Sequence, residues 1–327
     1  TIDGTDVEIQ LGTWVIEQAL CQLEQWQEQG VELEVSINIA AHHMQASAFI
    51  SELEAALARH PSVSSSNLQL EILESSALSD LQSISSKIKE CRDALGVHTA
   101  LDDFGTGYSS LAHLRNIPVS TIKIDQTFIR DLLDDPNDYA IIDSVLGLAA
   151  SFNREVIAEG VETTEHGQML LIMGCNEAQG YGIARPMPAN EVSAWLKVYQ
   201  PNEVWLASKH KEHTDQESRT ALFELSIEQW KKRFVSKIHS SPDETENWPI
   251  MSPTKCHCGT GIIRVKKELI FDSDWLASFE KTHEEMHRTA NVLKNHYQDG
   301  DISTARDELH ALHSLFEELE TLLAQSS

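Results

Sequence analysis

Apolar residues recur at helical spacing through residues 10–29 (Leu11, Trp14, Val15, Ala19, Leu23, Trp26), and the pattern stops before Gly30. That spacing predicts an amphipathic helix. Residues 34–39 then alternate toward Asn38 as a strand. From there the pattern predicts a helix over 47–60, a strand over 68–73, a helix over 80–95 and a strand over 98–101. A short helix over 109–115, a strand over 121–124, a helix over 137–152 and a strand over 155–158 come next. A helix over 164–173, a short strand around Glu177 and a helix over 189–199 complete the run. Strands that alternate with helices imply a parallel sheet covered by helices.

These strands end alike. Their C-terminal ends carry Asn38, then Glu71 and Glu74, then Asp102 and Asp103, then Lys123 and Asp125, then Glu159 and Glu162, then Gln179. In a barrel of parallel strands such ends converge on one face. An open doubly wound sheet gathers groups only near the point where strand order reverses. The six polar ends therefore favour an α/β fold of the TIM-type (β/α) barrel. A closed barrel of this type has eight strands, so the first strands are expected upstream of Thr1. Asp102 and Asp103 follow the apolar run 97–101 and precede a turn with Gly105 and Gly107. Adjacent carboxylates repel each other, and a divalent cation between them keeps both ionised. Plainer roles exist for each group. The Asp pair could cap a helix, Asp125 a solvated turn, Glu162 could pair with a surface cation, and Asn38 could bond a neighbouring backbone.

Beyond residue 200 the period changes. Residues 201–219 are polar and aperiodic, as a linker would be. Helical patterning resumes over 221–238 (Phe223, Ile227, Trp230, Phe234), breaks over 240–254, and returns over 274–297 and 302–324 with Gly300 between. An antiparallel pair within a small all-α bundle is expected there. The domains are thus predicted as 1–200, a linker 201–219, and 220–327. His283 and His287 lie four apart and share one helix face, and with Cys256 upstream they make candidate zinc ligands.

Charge and cysteines narrow the classes. A formal charge of -26 argues against a general nucleic-acid surface, and an anionic substrate would need metal ions or a few placed Lys and Arg. Five cysteines do not form a disulfide framework, which fits a reducing, cytoplasmic setting. No apolar run reaches membrane-spanning length; the longest, 139–152, carries Asp143 and reads as a buried helix.

The residues from LGTWVIEQAL (11–20) through QGYGIARPMP (179–188) resemble the EAL family of cyclic di-GMP phosphodiesterases. The matching runs are SINIA from Ser36, EILE from Glu71, DDFGTGYSSL from Asp102, IKID from Ile122, AEGVE from Ala158, and the QGY run. The resemblance implies a two-metal hydrolysis of cyclic di-GMP to the linear dinucleotide, with magnesium or manganese. Asn38, Glu71 and Asp102 resemble ligands of the first ion. Asp102 resembles the bridge to a second ion also held by Asp103, with Glu159 close to it. Lys123 resembles the group that orients the attacking water, Glu162 and Gln179 a polar floor, and Glu74 the residue that steadies the loop 104–110. Two departures accompany these matches. The Glu-Ala-Leu strand that names the family, with its metal-binding Glu and nearby Arg, is absent from its place, and Leu73 stands where the family has Thr. Little or no turnover is therefore expected from these residues alone.

The tail resembles the chemoreceptor zinc-binding (CZB) domain. Trp230, Cys256, Gly259, His283 and His287 match its pattern, while Ile227 stands in the place of its first His and Gly261 in that of its usual Trp. The resemblance implies zinc on Cys256, His283 and His287, with water, His257, Cys258 or His239 in the fourth place. The leading expectation is a cyclic di-GMP phosphodiesterase with a zinc-binding regulatory domain. The alternative is a non-catalytic cyclic di-GMP-binding module that senses zinc or redox state. Cyclic di-GMP and a second copy of the chain are the expected partners.

Overall fold

The computed structural model describes residues 2–106, 111–209, 214–241 and 247–326. Gly107, the loop on to Ser110 and the expected helix start at Ser109 lie outside the described residues. So do 210–213 of the polar stretch and 242–246 of the break. The chain divides into two compact units. One comprises Thr1–Ile129, Ile142–Glu162 and Cys175–Pro201; the other comprises Arg130–Ile141, Thr163–Gly174 and Asn202–Ser327.

Among the described residues the first unit carries six strands: β1 (Val35–Asn38), β2 (Leu68–Leu73), β3 (His98–Phe104), β4 (Thr121–Ile124), β5 (Glu155–Glu159) and β6 (Glu177–Gln179). They make one parallel sheet in the order β1-β2-β3-β4-β5-β6. A strand order that rises without reversal has no switch point, so the sheet is of the barrel type and not the doubly wound type. Helices cover the inner strands: β2 is buried at all but its last residue, and Leu68, Leu70 and Ile72 are fully inaccessible. The first helix, α1 (Asp6–Glu28), buries Ile16, Ala19, Leu20, Leu23 and Trp26 along one stripe. Its Trp26 Nε1 donates to the carbonyl of Ala189 at 3.1 Å.

Strand β3 runs three residues past its predicted end at Leu101. Its register with β4 shifts between Leu101, opposite Ile122, and Phe104, opposite Ile124. Asp102 and Asp103 both fall in this bulge, so the strand continues through a carboxylate pair that propensity alone would assign to a turn.

The second unit is helical. Its main helices are α2 (Asp215–His239), α3 (His257–Glu268), α4 (Ser273–Gln298) and α5 (Leu309–Ala324). The polar stretch beginning at residue 201 holds a helix, Glu203–Lys209. Helix α2 starts six residues before its apolar period, because Thr214 and Glu217 form a capping box. Helix α3 lies in a segment with two glycines and no clear period; Cys256 starts it, its Sγ accepting from the Gly259 amide at 3.3 Å. The expected helix 302–324 is split at Glu308 into Ile302–Asp307 and α5. Phe223, Phe234, Phe279, Leu312 and Phe316 belong to the core of this unit. No helix among the described residues is long and apolar enough to cross a membrane.

Candidate functional site

The ends of β2 to β5 meet around one ammonium group. Lys123 on β4 is 3% exposed. Its Nζ lies 2.9 Å from Glu71 Oε1, 3.0 Å from Asp102 Oδ1 and 2.6 Å from Glu159 Oε1. These acids come from β2, β3 and β5, on strands that flank β4 directly or one strand further on. Burial by itself would lower the pKa of Lys123, but the bonds to Glu159, Glu71 and Asp102 outweigh it and raise it. The group therefore stays a cation.

The bulge in β3 brings in a further carboxylate. Neighbouring residues of a regular strand face opposite ways. Here Asp103 adopts φ +53°, and oxygens of Asp102, Asp103 and Glu159 lie within 4.8 Å of one another. Burial pushes the Asp103 carboxyl up, and Asp102 and Asp125 add to the shift. Burial likewise pushes up Glu159, with Asp102 and Glu71 adding to it against the pull of Lys123. Several buried or half-buried acids thus face one ammonium, and the surplus of negative charge suits a divalent cation with oxygen ligands.

Glu74 acts from the base of the following turn. Its Oε2 accepts from the Gly105 amide at 2.8 Å. Gly105 has φ +103°, and a Cβ there would stand 2.8 Å from the Phe128 ring, so only glycine makes this turn freely. Asn38 ends β1 in register with Glu71 and is exposed. Gln179 ends β6 in register with Glu159, and its Nε2 donates to Glu159 Oε1. Glu162 is exposed, three residues beyond β5, and is not among the acids that bond Lys123. Asp125 corrects an expectation. It does cap a turn, its Oδ1 accepting from the Thr127 amide at 2.9 Å, but it is buried beside Asp103 and not solvated. Its place directly after a buried strand residue was the available signal.

Residues 1–186 match the family model described as the EAL domain. The chain belongs to the EAL-domain family. Two curated relatives come from Pseudomonas aeruginosa. Cyclic di-GMP phosphodiesterase PA2567 is 39% identical over 57% of this chain and 32% of its own length. The bifunctional diguanylate cyclase/cyclic di-GMP phosphodiesterase MucR is 38% identical over 59% of this chain and 28% of its own. The chain thus spans about a third of the length of these relatives. Among solved structures, the PaMucR phosphodiesterase in complex with c-di-GMP superposes with a TM-score of 0.55 at 36% identity, covering 58% of this chain and 77% of that one. The EAL domain of Mycobacterium smegmatis DcpA gives 0.55 at 32% identity, covering 58% and 86%.

The second cluster lies beyond the matched EAL segment. Cys256, His283 and His287 are 3%, 1% and 1% exposed, and their donor atoms lie within 4.8 Å of one another. Cys256 Sγ is 3.3 Å from His283 Nε2. His287 Nδ1 bonds the Met251 carbonyl at 3.0 Å, which fixes the tautomer. Its Nε2 is buried without a partner among the described residues. Gly259 sets this corner, since a Cβ there would lie 1.8 Å from the Pro253 carbonyl oxygen. Burial pushes His283 down to about 3, helped by His287, and His287 down to about 4 against the Met251 carbonyl. Both imidazoles are neutral near pH 7, the form a metal ligand requires. Burial pushes the Cys256 thiol up to about 11, so a metal would have to displace its proton.

Proposed function

We propose that the EAL-domain part of this chain binds cyclic di-GMP and hydrolyses one of its phosphodiesters to the linear dinucleotide. The observation that carries the reading is the Lys123 ammonium buried among Glu71, Asp102 and Glu159 at the ends of neighbouring strands. Phosphodiesterases among relatives at 38% and 39% identity support it.

The donors fit hard divalent cations: all are oxygens, and those of Asp102 and Asp103 lie with Glu159 within 4.8 Å of one another. Asn38, Glu71, Asp102 and Asp103 would hold two magnesium or manganese ions. Bound there, such ions offset charge building on the phosphate and favour ionisation of the attacking water. Lys123, held protonated, orients that water by donating a hydrogen bond and does not serve as a base. Glu159, whose carboxyl burial pushes up, is suited to accept a proton beside it. Gln179 holds Glu159 in place, and Glu74 keeps the Gly105 turn in position.

Conversion of cyclic di-GMP to the linear product with Mn2+, followed by chromatography, tests this reading. Turnover is expected to be low, because the Glu-Ala-Leu strand with its metal-binding Glu is absent from its place, and what turnover there is should be lost in Asp102→Asn and Lys123→Ala. Binding without any linear product would select a non-catalytic sensor module instead, the reading that Leu73 in place of the family's Thr favours. Neither binding nor product would overturn both.

The helical unit, in this reading, is a CZB-like regulatory domain that binds zinc through Cys256, His283 and His287. The orphaned Nε2 of His287 and the 3.3 Å approach of Cys256 to His283 support it. Metal analysis of the purified chain is expected to find zinc, and Cys256→Ala to lose it. Five free cysteines accord with a reducing cytoplasm.

A further inference from the structure

Three donors leave one corner of a zinc tetrahedron to fill. Ile227 of α2 is 3% exposed and lines the same cavity as Cys256, His283 and His287, and its side chain has no donor atom. His257 and Cys258 also border that cavity. Neither joins the group whose atoms lie within 4.8 Å of one another, which among the described residues is Cys256, His283 and His287 alone. The His257 ring instead packs edge-on against Tyr139, with centroids 5.9 Å apart. His239, in the last turn of α2, is not among the cavity walls. The cavity offers about 20 Å³ of space for the centre of a water molecule. One water needs roughly 10–15 Å³ by that measure. The space is thus on the scale of a ligand of one or two heavy atoms and not of a ring.

We propose that a metal held by Cys256, His283 and His287 keeps its fourth position for an exchangeable ligand, water or a small anion, and that no fourth protein donor occupies it. This rests on the zinc reading above and adds a binding function to it. A site closed by four protein donors is structural, whereas an open position lets the metal take up a ligand from solution. Ile227 is the residue that keeps the position open, and the tight walls around it set the size of what enters.

Cobalt substitution of the full chain tests the inference without reference to catalysis. Co2+ in this donor set is expected to give a thiolate-to-cobalt charge-transfer band, absent in Cys256→Ala, together with visible bands of a four-coordinate ion. Stoichiometric cyanide, with two heavy atoms, is expected to shift the visible bands saturably. Imidazole at the same concentration is expected to leave them unchanged. Ile227→His is expected to keep the cobalt and lose the cyanide response. A parent spectrum that cyanide does not move overturns the proposal with no variant needed, and a response appearing only in His257→Ala or Cys258→Ala would identify the protein donor responsible. A response to imidazole equal to that of cyanide would overturn the size limit. No cobalt uptake would instead remove the zinc reading itself, a result distinct from a bound but unresponsive metal.

Discussion

Lys123 shows how one side chain can hold a candidate site together. A buried ammonium that satisfies Glu71, Asp102 and Glu159 at 2.6–3.0 Å leaves those acids exposed to one another when it is removed. Breaking a buried ion pair from one side costs about 3–5 kcal/mol. Lys123→Met is therefore expected to lower the unfolding free energy read from urea titration in the presence of chelator by an amount in that range. Millimolar Mn2+ should restore part of the loss, because a cation then meets the same carboxylates. A variant as stable as the parent in chelator would contradict this account. At Gly105, φ +103° and the 2.8 Å approach to Phe128 act together. Gly105→Ala is expected to cost about 1–3 kcal/mol in denaturant unfolding and to slacken the turn that Glu74 holds.

At the scale of elements, the β3 bulge and the clamp on α1 carry the main lessons. The bulge inserts a residue opposite Lys123, which lets two adjacent aspartates reach one cluster. On α1, Glu17 and Glu24 grip His60, which follows the helix Phe49–Arg59. His60 Nε2 lies 3.2 Å from Glu17 and Nδ1 2.9 Å from Glu24. Arg59 also bonds Glu17, Ser62 bonds Glu24, and Cys21 faces the His60 ring. Burial would lower His60, but its bonds to Glu24 and Glu17 outweigh that and raise it. The stability it adds is full below its ordinary pKa of 6.5 and fades as pH rises through the raised value. Both glutamates are lowered, Glu17 chiefly by Arg59 and Glu24 by His60, so their share is present above 4.5 and fades on acidification. The clamp is therefore strongest between about pH 4.5 and 6.5. His60→Gln is expected to remove the decline in melting temperature that the parent shows above pH 6.5. An unchanged pH profile would count against the clamp.

For the molecule as a whole, a metal held by the helical unit would be coupled to its folding. Its three donors lie on α4 and at the start of α3, and Trp230 of α2 packs edge-on against His287 at 4.9 Å. Zinc at 100 times its Kd would add about 2.7 kcal/mol. Chelation is expected to lower the unfolding midpoint of this unit and to change the near-ultraviolet signal of Trp230, with no such response in Cys256→Ser. Equal midpoints with and without chelator would argue against a metal in the folded unit.

The alternation of strand and helix, the parallel sheet and the polar strand ends were all legible in the sequence. Side-chain period and the residues at strand ends are local properties, and a buried parallel strand such as β2 writes its environment directly into its composition. The spacing of His283 and His287 was legible for the same reason. Tertiary structure alone decided which strand-end groups meet. Glu71, Asp102 and Glu159 converge on Lys123, whereas Glu162 does not join them, because register and twist are set by pairing between distant segments. It also decided that Asp103 turns toward Asp102 through a bulge, that Asp125 is buried, and that Cys256 begins a helix. Each depends on a neighbour brought close only by folding, and no period along the chain encodes that neighbour.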